Sequence, residues 1–201
     1  MSFGVSQENQ FIRPLRGHTV TLLVGGRPTN FVLARSLLSN LTRSGIPCTV
    51  LDIDAFYSSN SDYVTESLTG EEASLIEFLV PDPDSDLESD IGNLLGSGSD
   101  RVLIVDSLNS LYHLMSTGKH NAKNRSLAFV VALLSFVAKT ERRAVLFTMY
   151  RRERRNSFGR ARSISDLSDL VVAVSQKGRA LSLKCERGSA WPAGDFAIPI
   201  P

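Results

Sequence analysis

Short apolar runs rich in β-branched residues alternate along this chain with longer segments of helical period, and that alternation leaves few architectures open. The segments 19–26 (TVTLLVGG), 47–56 (PCTVLDIDAF), 101–106 (RVLIVD) and 143–150 (RAVLFTMY) read as buried strands. Between the first two, Phe31, Leu33, Ala34, Leu37, Leu38 and Leu41 share one helical face. Thr29 or Asn30 is the expected N-cap, and Gly45 the stop. Residues 69–79 read as a short helix with Thr69 or Gly70 capping, and residues 126–140 as an apolar one. The end of the chain is strand-only: a hairpin over 169–187 turning near Gln176 to Gly178, then a strand at 194–200. Such an order predicts a single α/β domain, a mostly parallel sheet flanked by helices, closed by antiparallel strands.

At 201 residues the chain suits one such domain. Residues 1–16 read as an N-terminal extension, 80–100 as an acidic surface excursion around a short helix at 86–95, and 116–125 and 151–165 as basic loops. The longest apolar run, Leu127 to Ala138, is twelve residues, too short to span a bilayer. The N-terminus shows no basic stretch leading into an apolar one, so a cytoplasmic protein without membrane contact is expected. Cys48 and Cys185 stand far apart in strand-like contexts and read as separate thiols, and three scattered histidines suggest no metal site.

The net charge of +1 conceals a division. Residues 1–43 carry +4, residues 44–100 carry thirteen acids and no Lys or Arg, and residues 101–201 carry +10. Seventeen of the twenty-two cations are arginines, whose planar fork suits phosphates and carboxylates. A basic surface made for an anion and an acidic surface made for something else is the reading this favours.

Three motifs bear on chemistry. A phosphate loop reads G-x-x-x-x-G-K-[ST] between a strand and a helix, its amides cradling phosphates and its hydroxyl holding magnesium. Here Gly25 and Gly26 follow the first strand, but Asn30 and Phe31, or Thr29 and Asn30 in the neighbouring register, stand at the last glycine and lysine positions. Both the lysine and the hydroxyl are lost in either register. The stretch is a degenerate phosphate loop or an ordinary strand-to-helix turn. Asp106 ends an apolar strand in the manner of a Walker B aspartate. Asp52 and Asp54 end the second strand, where one of them could orient a water, or merely cap a turn.

Taken in order, these elements resemble the core of the RecA/KaiC superfamily. The resemblance is most specific over 163–200, where Asp169 matches an aspartate leading into a strand, Arg187-Gly188-Ser189 matches an RGS segment, and Pro192 and Gly194 match the tail. It covers roughly residues 17–200, and the pattern is that of a RadA-type paralogue with a degenerate P-loop. In that family a lysine and arginine of the RGS segment reach a nucleotide bound by the neighbouring subunit. Here Lys184 lies one residue too far from Arg187, and Cys185 takes its place. The resemblance therefore implies a vestigial nucleotide site (Gly25, Gly26, Thr29, Asn30, Asp54, Asp106, Lys184 and Arg187), no catalytic residues, and at most weak ATP binding without hydrolysis.

In RecA-type proteins the loops after the Walker B strand and after the next strand bind nucleic acid. The first corresponds to 116–125, with Lys119, His120, Lys123 and Arg125. The second carries Arg151, Arg152, Arg154, Arg155, Arg160 and Arg162, with Phe158 and Tyr150 available to stack on bases. The expected function is that of a non-hydrolysing paralogue binding single-stranded or duplex DNA or RNA, an accessory factor in recombination, repair or RNA handling. Self-association, or head-to-tail assembly with a RecA-like partner, follows from the same likeness. The alternative is a ring or interaction subunit without nucleic-acid binding, similar to Elongator's small RecA-fold subunits. An ATPase with an atypical loop is the third reading.

Overall fold

The computed structural model describes residues 13–82, 87–96, 98, 100–115, 120–151, 168–188 and 196–201. Among these, eight strands form one sheet: β1 (Thr19–Val24), β2 (Cys48–Asp52), β3 (Ile76–Leu79), β4 (Val102–Asp106), β5 (Val145–Tyr150), β6 (Leu170–Lys177), β7 (Ala180–Arg187) and β8 (Phe196–Pro199). Their spatial order is β3-β2-β4-β5-β1-β6-β7-β8. The pairs from β3 through β6 are parallel, and β6–β7 and β7–β8 are antiparallel. This is the predicted mostly parallel sheet with an antiparallel end. β1, β2 and β4 are covered on both faces, which is why they read as nearly continuous apolar runs.

Two apolar layers hold the helices on. On one face α1 (Arg27–Arg43) buries Leu33, Leu37, Leu38 and Leu41 against Val20, Leu22, Val50 and Ile104, with Val64 of α2 (Ser61–Thr65) joining the same cluster. On the other, α4 (Leu87–Gly96), α5 (Leu108–Leu114) and α6 (His120–Glu141) pack Ile91, Leu94, Leu111, Val131 and Leu134 against Leu103, Val105, Val145 and Phe147. Each such leucine contributes about 1.5–3 kcal/mol by leaving water. The four helical leucines of α1 predicted to face the core do so; Phe31 and Ala34 pack at its margin. Among the described residues, no helix is long and apolar enough to cross a membrane.

Several boundaries differ from expectation. α1 begins at Arg27 with Gly26 at its N-cap and Pro28 in its first turn, so Thr29 and Asn30 lie inside the helix. Pro28 fits there because its missing N–H would have no partner anyway. The segment 69–79 is not one helix. α3 (Gly70–Ser74), with Thr69 and Glu72 forming a capping box, ends at once, and Ile76–Leu79 becomes the edge strand β3. The loop expected over 116–125 is shorter, because α6 already starts at His120; Lys123 and Arg125 stand on a helix. α5 was not anticipated; Ser107 caps it by accepting from Ser110 N. The acidic excursion, finally, is anchored. α4 buries Ile91 and Leu94, and the buried Arg143 donates to the carbonyls of Leu95 and Gly98 just beyond them.

The residues that carried the C-terminal resemblance have structural tasks. Asp169 accepts from Thr19 N (2.9 Å) and Thr19 Oγ1 (3.0 Å) and pairs with Lys139 (3.1 Å), tying the start of β6 to β1 and to the end of α6. Partial burial raises the carboxyl pKa, but the Thr19 amide and Lys139 outweigh it, and the net position is below the ordinary range. Arg187 donates to Ser168 O at 3.0 Å. Gly188 has φ 118°, and a Cβ there would meet Leu170 Cδ2 at 2.2 Å and Asp169 O at 2.7 Å. Only glycine fits.

Candidate functional site at the carboxyl ends of the strands

In open α/β sheets, ligands gather beyond the carboxyl ends of the strands, where successive connections leave to opposite faces. β1 leads into α1 on one face of the sheet and β4 into α5 on the other, so a site is expected at the carboxyl ends of these strands. The connection from β1 to α1 is only Gly25 and Gly26. Residues 27–30, which a phosphate loop would hold as an open arc of amides, are wound into the first helical turn, with Asn30 N donating to Gly26 O.

That winding aims Asn30 inward. Its side chain is buried, and Nδ2 lies 2.8 Å from Asp106 Oδ1, 2.9 Å from Tyr57 Oη and 3.3 Å from Tyr150 Oη. Thr148 Oγ1 also donates to Asp106 Oδ1, and the Tyr57 hydroxyl bonds the same carboxyl. Burial pushes the Asp106 carboxyl above the ordinary carboxylate range, against the pull of the Thr148, Tyr57 and Asn30 hydrogen bonds, and Asp52 nearby adds to the rise. The Tyr57 and Tyr150 hydroxyls are pushed up chiefly by burial and further by Asp106. Phe31 stacks on Tyr57 at 6.4 Å and meets Phe56 edge-on at 5.5 Å, closing the cluster from the helix side.

These residues do not fit magnesium. The aspartate that would hold the ion's water shell is spent on three protein donors, and Phe31 and Val32 follow Asn30 where a hydroxyl would be needed. The cavity beside Asp106 and Thr148, walled by Leu33, Leu37 and Ile104, is about 10 Å³, barely one water. Nor is Asp52 placed as a base: its oxygens accept from Phe56 N (2.9 Å) and Ser58 N (2.8 Å) and hold the turn after β2. Asp54 is exposed, accepting from Ser110 Oγ at 3.0 Å with Arg27 at 3.7 Å.

Outside the sealed cluster lies an open groove of about 530 Å³ lined by Gly25, Gly26, Arg27, Asn109, Ser110, His113, Tyr150 and Arg151. Arg151 is exposed there and pairs with Glu186 at 3.3 Å. Asn109 Oδ1 accepts from Tyr150 N at 2.8 Å, fixing the end of β5 to α5. Tyr150, expected to stack on a base, instead turns its hydroxyl to Asn30 and offers the groove part of its ring.

The predicted site residues therefore divide. Gly25 and Gly26 line the groove, Asn30 and Asp106 form the plug, Asp54 sits against Ser110 and Arg27, and Thr29 lies in the first turn of α1. Lys184 is exposed on β7, separated from β4 by β5, β1 and β6, and Arg187 is engaged with Ser168. Lys123 lies over the Tyr112 ring, 5.8 Å from its centre, and Arg125 is exposed on α6. Lys119, Arg152, Arg154, Arg155, Phe158, Arg160 and Arg162 lie outside the described residues, as does the His120 side chain. Sequence reasoning missed Tyr57, Thr148, Arg27 and His113. The first two carry no periodic signal; Arg27 stood beside the glycine pair and could have been suspected.

No protein-family description matches the sequence, and no curated protein does. A solved structure titled "Crystal structure of the RadB recombinase" matches with a TM-score of 0.64 at 15% identity, covering 93% of this chain and 89% of that one. With the strand order and the β1–α1 junction above, this establishes the fold: the chain is a RecA-like α/β domain.

Proposed function

We propose that this chain is a non-hydrolysing RecA-like protein that binds the phosphate backbone of DNA or RNA at the carboxyl end of its sheet. The carrying observation is topological. Arg151, the first residue of the second basic segment, follows β5 and lines the same groove as the glycine pair, Arg27 and His113. The β6–β7 hairpin adds Lys177 and Arg179 at that end, because β6 runs parallel to β1 and continues past it. The sealing of Asp106 by Asn30, Tyr57 and Thr148 supports the absence of hydrolysis. A recombinase is named among the proteins of like fold, which favours an accessory role in recombination or repair.

The test is anisotropy with labelled single-stranded DNA, duplex DNA and RNA across a salt series, alongside calorimetry with magnesium-ATP. If about four arginines engage a single strand, log affinity falls with log salt at a slope near −3. Replacing Arg151, Arg152, Arg154 and Arg155 by Ala flattens that slope and weakens all sequences alike. Unchanged binding in the quadruple variant refutes the reading, and mid-micromolar ATP affinity with turnover refutes the non-hydrolysing part. The second reading, an interaction subunit without nucleic-acid binding, is favoured by the Arg151–Glu186 pair, which engages one of these arginines within the chain.

A further inference from the structure

Both arginines that line the groove are already engaged by carboxylates of this chain. Arg27 Nη2 lies 3.7 Å from Asp54 Oδ2, and Arg151 Nη1 lies 3.3 Å from Glu186 Oε1. Both separations exceed the roughly 2.7–2.9 Å usual for a charge-assisted hydrogen bond. The pairs are contacts of charge, loosely made.

The partners in each pair differ in freedom. The arginine side chains are 76% and 62% exposed, and each guanidinium rides on a long stem. The carboxylates are held. Asp54 Oδ2 accepts from Ser110 Oγ at 3.0 Å, and Ser110 N donates to Ser107 Oγ at the start of α5. Glu186 sits at an irregularity in the β6–β7 ladder. Cys185 faces Val172 and Arg187 faces Val171, which leaves Glu186 as the extra residue of a bulge. Bulges re-aim side chains and recur beside functional sites. In strand order Asp54 follows β2 and Glu186 stands on β7, on opposite flanks of β5 and β1. Arg151 follows β5 and Arg27 follows β1, so the two pairs draw the guanidinium groups apart.

We propose that Asp54 and Glu186 are built-in competitors for the phosphates of a single strand, holding Arg27 and Arg151 until the strand displaces them. The inference rests on the reading that this groove binds a phosphate backbone, and it assigns the residues that regulate that binding. A phosphate can meet a guanidinium in a close, bidentate contact that neither carboxylate makes here. Exchange is therefore favourable once neighbouring cations have tethered the strand beside the groove. The arginine is the partner that moves, because the carboxylates are anchored by α5 and by the bulge.

The experiment is anisotropy with labelled single-stranded DNA at fixed low salt on the full chain, Asp54→Asn, Glu186→Gln and the double variant. Each carboxylate change is repeated with its own arginine replaced, Arg27→Ala or Arg151→Ala. The amide variants keep the shape of the side chains, and Asn keeps an acceptor for Ser110; thermal melts check the fold. Each single variant binds about two- to fivefold tighter, the size of an exposed ion pair. The double variant binds about four- to twenty-fivefold tighter, since the pairs share no partner. Without its arginine, each carboxylate change leaves affinity unaltered. Parent binding with no gain in the variants overturns the competition alone and leaves the groove reading standing. A gain that persists after the arginine is removed marks a general charge effect and also overturns it. Binding by the variants where the parent binds none supports both readings, and binding by none of these proteins overturns both.

Discussion

Removing the Asp106 carboxyl is expected to destabilise the fold, which is the opposite of what an aspartate held open for a metal would do. Asp106→Ala withdraws the acceptor shared by Asn30, Thr148 and Tyr57. Asn30 still has the Tyr57 and Tyr150 oxygens within reach, so the hydroxyls of Thr148 and Tyr57 are the donors left without a partner. Each orphaned buried donor costs about 1–3 kcal/mol, giving roughly 2–6 kcal/mol in all. Relief of the buried charge offsets part of this and favours the lower half of that range. At about 2–4 °C per kcal/mol for a domain of this size, Tm falls by roughly 5–15 °C. Asp106→Asn keeps an acceptor oxygen and removes the charge, so its Tm at neutral pH stays near the parent's. The pH dependence has a definite sign. The folded carboxyl titrates above the unfolded value of about 3.9, so the folded state binds the proton more tightly. Relative to Asp106→Asn, the parent is most stable below that value and loses ground as pH rises through the folded pKa, with a limiting slope of about 1.4 kcal/mol per pH unit. Urea melts of the three proteins from acid to neutral pH measure both effects. An Asp106→Ala protein as stable as the parent, or parallel pH curves for the parent and Asp106→Asn, would refute the reasoning.

Two further outcomes follow from the packing. Gly188→Ala forces a Cβ into Leu170 and Asp169 at a left-handed φ, and is expected to cost roughly 2–5 kcal/mol, read as a lower Tm and faster amide exchange at the start of β6. Arg143→Leu frees the Leu95 and Gly98 carbonyls, each bond to the charged guanidinium being worth about 1.5–3 kcal/mol. Hydrogen exchange should show α4 losing protection while β1 and β5 keep theirs, and uniform loss would show that α4 folds as one unit with the sheet.

Strands other than the half-exposed β3, and the buried face of α1, were legible because burial on both faces writes itself as continuous apolar runs and as a 3.6-residue period. Ends were not. Thr29 and Asn30 have the side chains of N-caps, and local preference placed the helix start there. Tertiary contacts overrode it, since Asn30 directs its amide nitrogen to Asp106 and the two tyrosines. The polar run before residue 126 gave no hint that α6 begins at His120, because an exposed helical turn and a loop share the same composition. The plug itself draws on the ends of β4 and β5, the first turn of α1 and the turn after β2. Four short segments far apart in sequence leave no joint pattern to read.

The two-residue β1–α1 connection also bears on ancestry. If an active phosphate loop lies in this chain's past, no single replacement leads back to it. A lysine at position 30 would enter a helical turn beneath Tyr57 and Tyr150, next to a carboxyl already occupied, and without the arc of amides that once gave it purpose. Recovery would require the first turn to unwind against Pro28 and the tyrosines to withdraw, and each step alone loses stability and gains no activity. On that premise the change acts as a ratchet: selection can elaborate the groove outside the plug, while a return to phosphate-loop chemistry is blocked by the order in which its steps would have to occur.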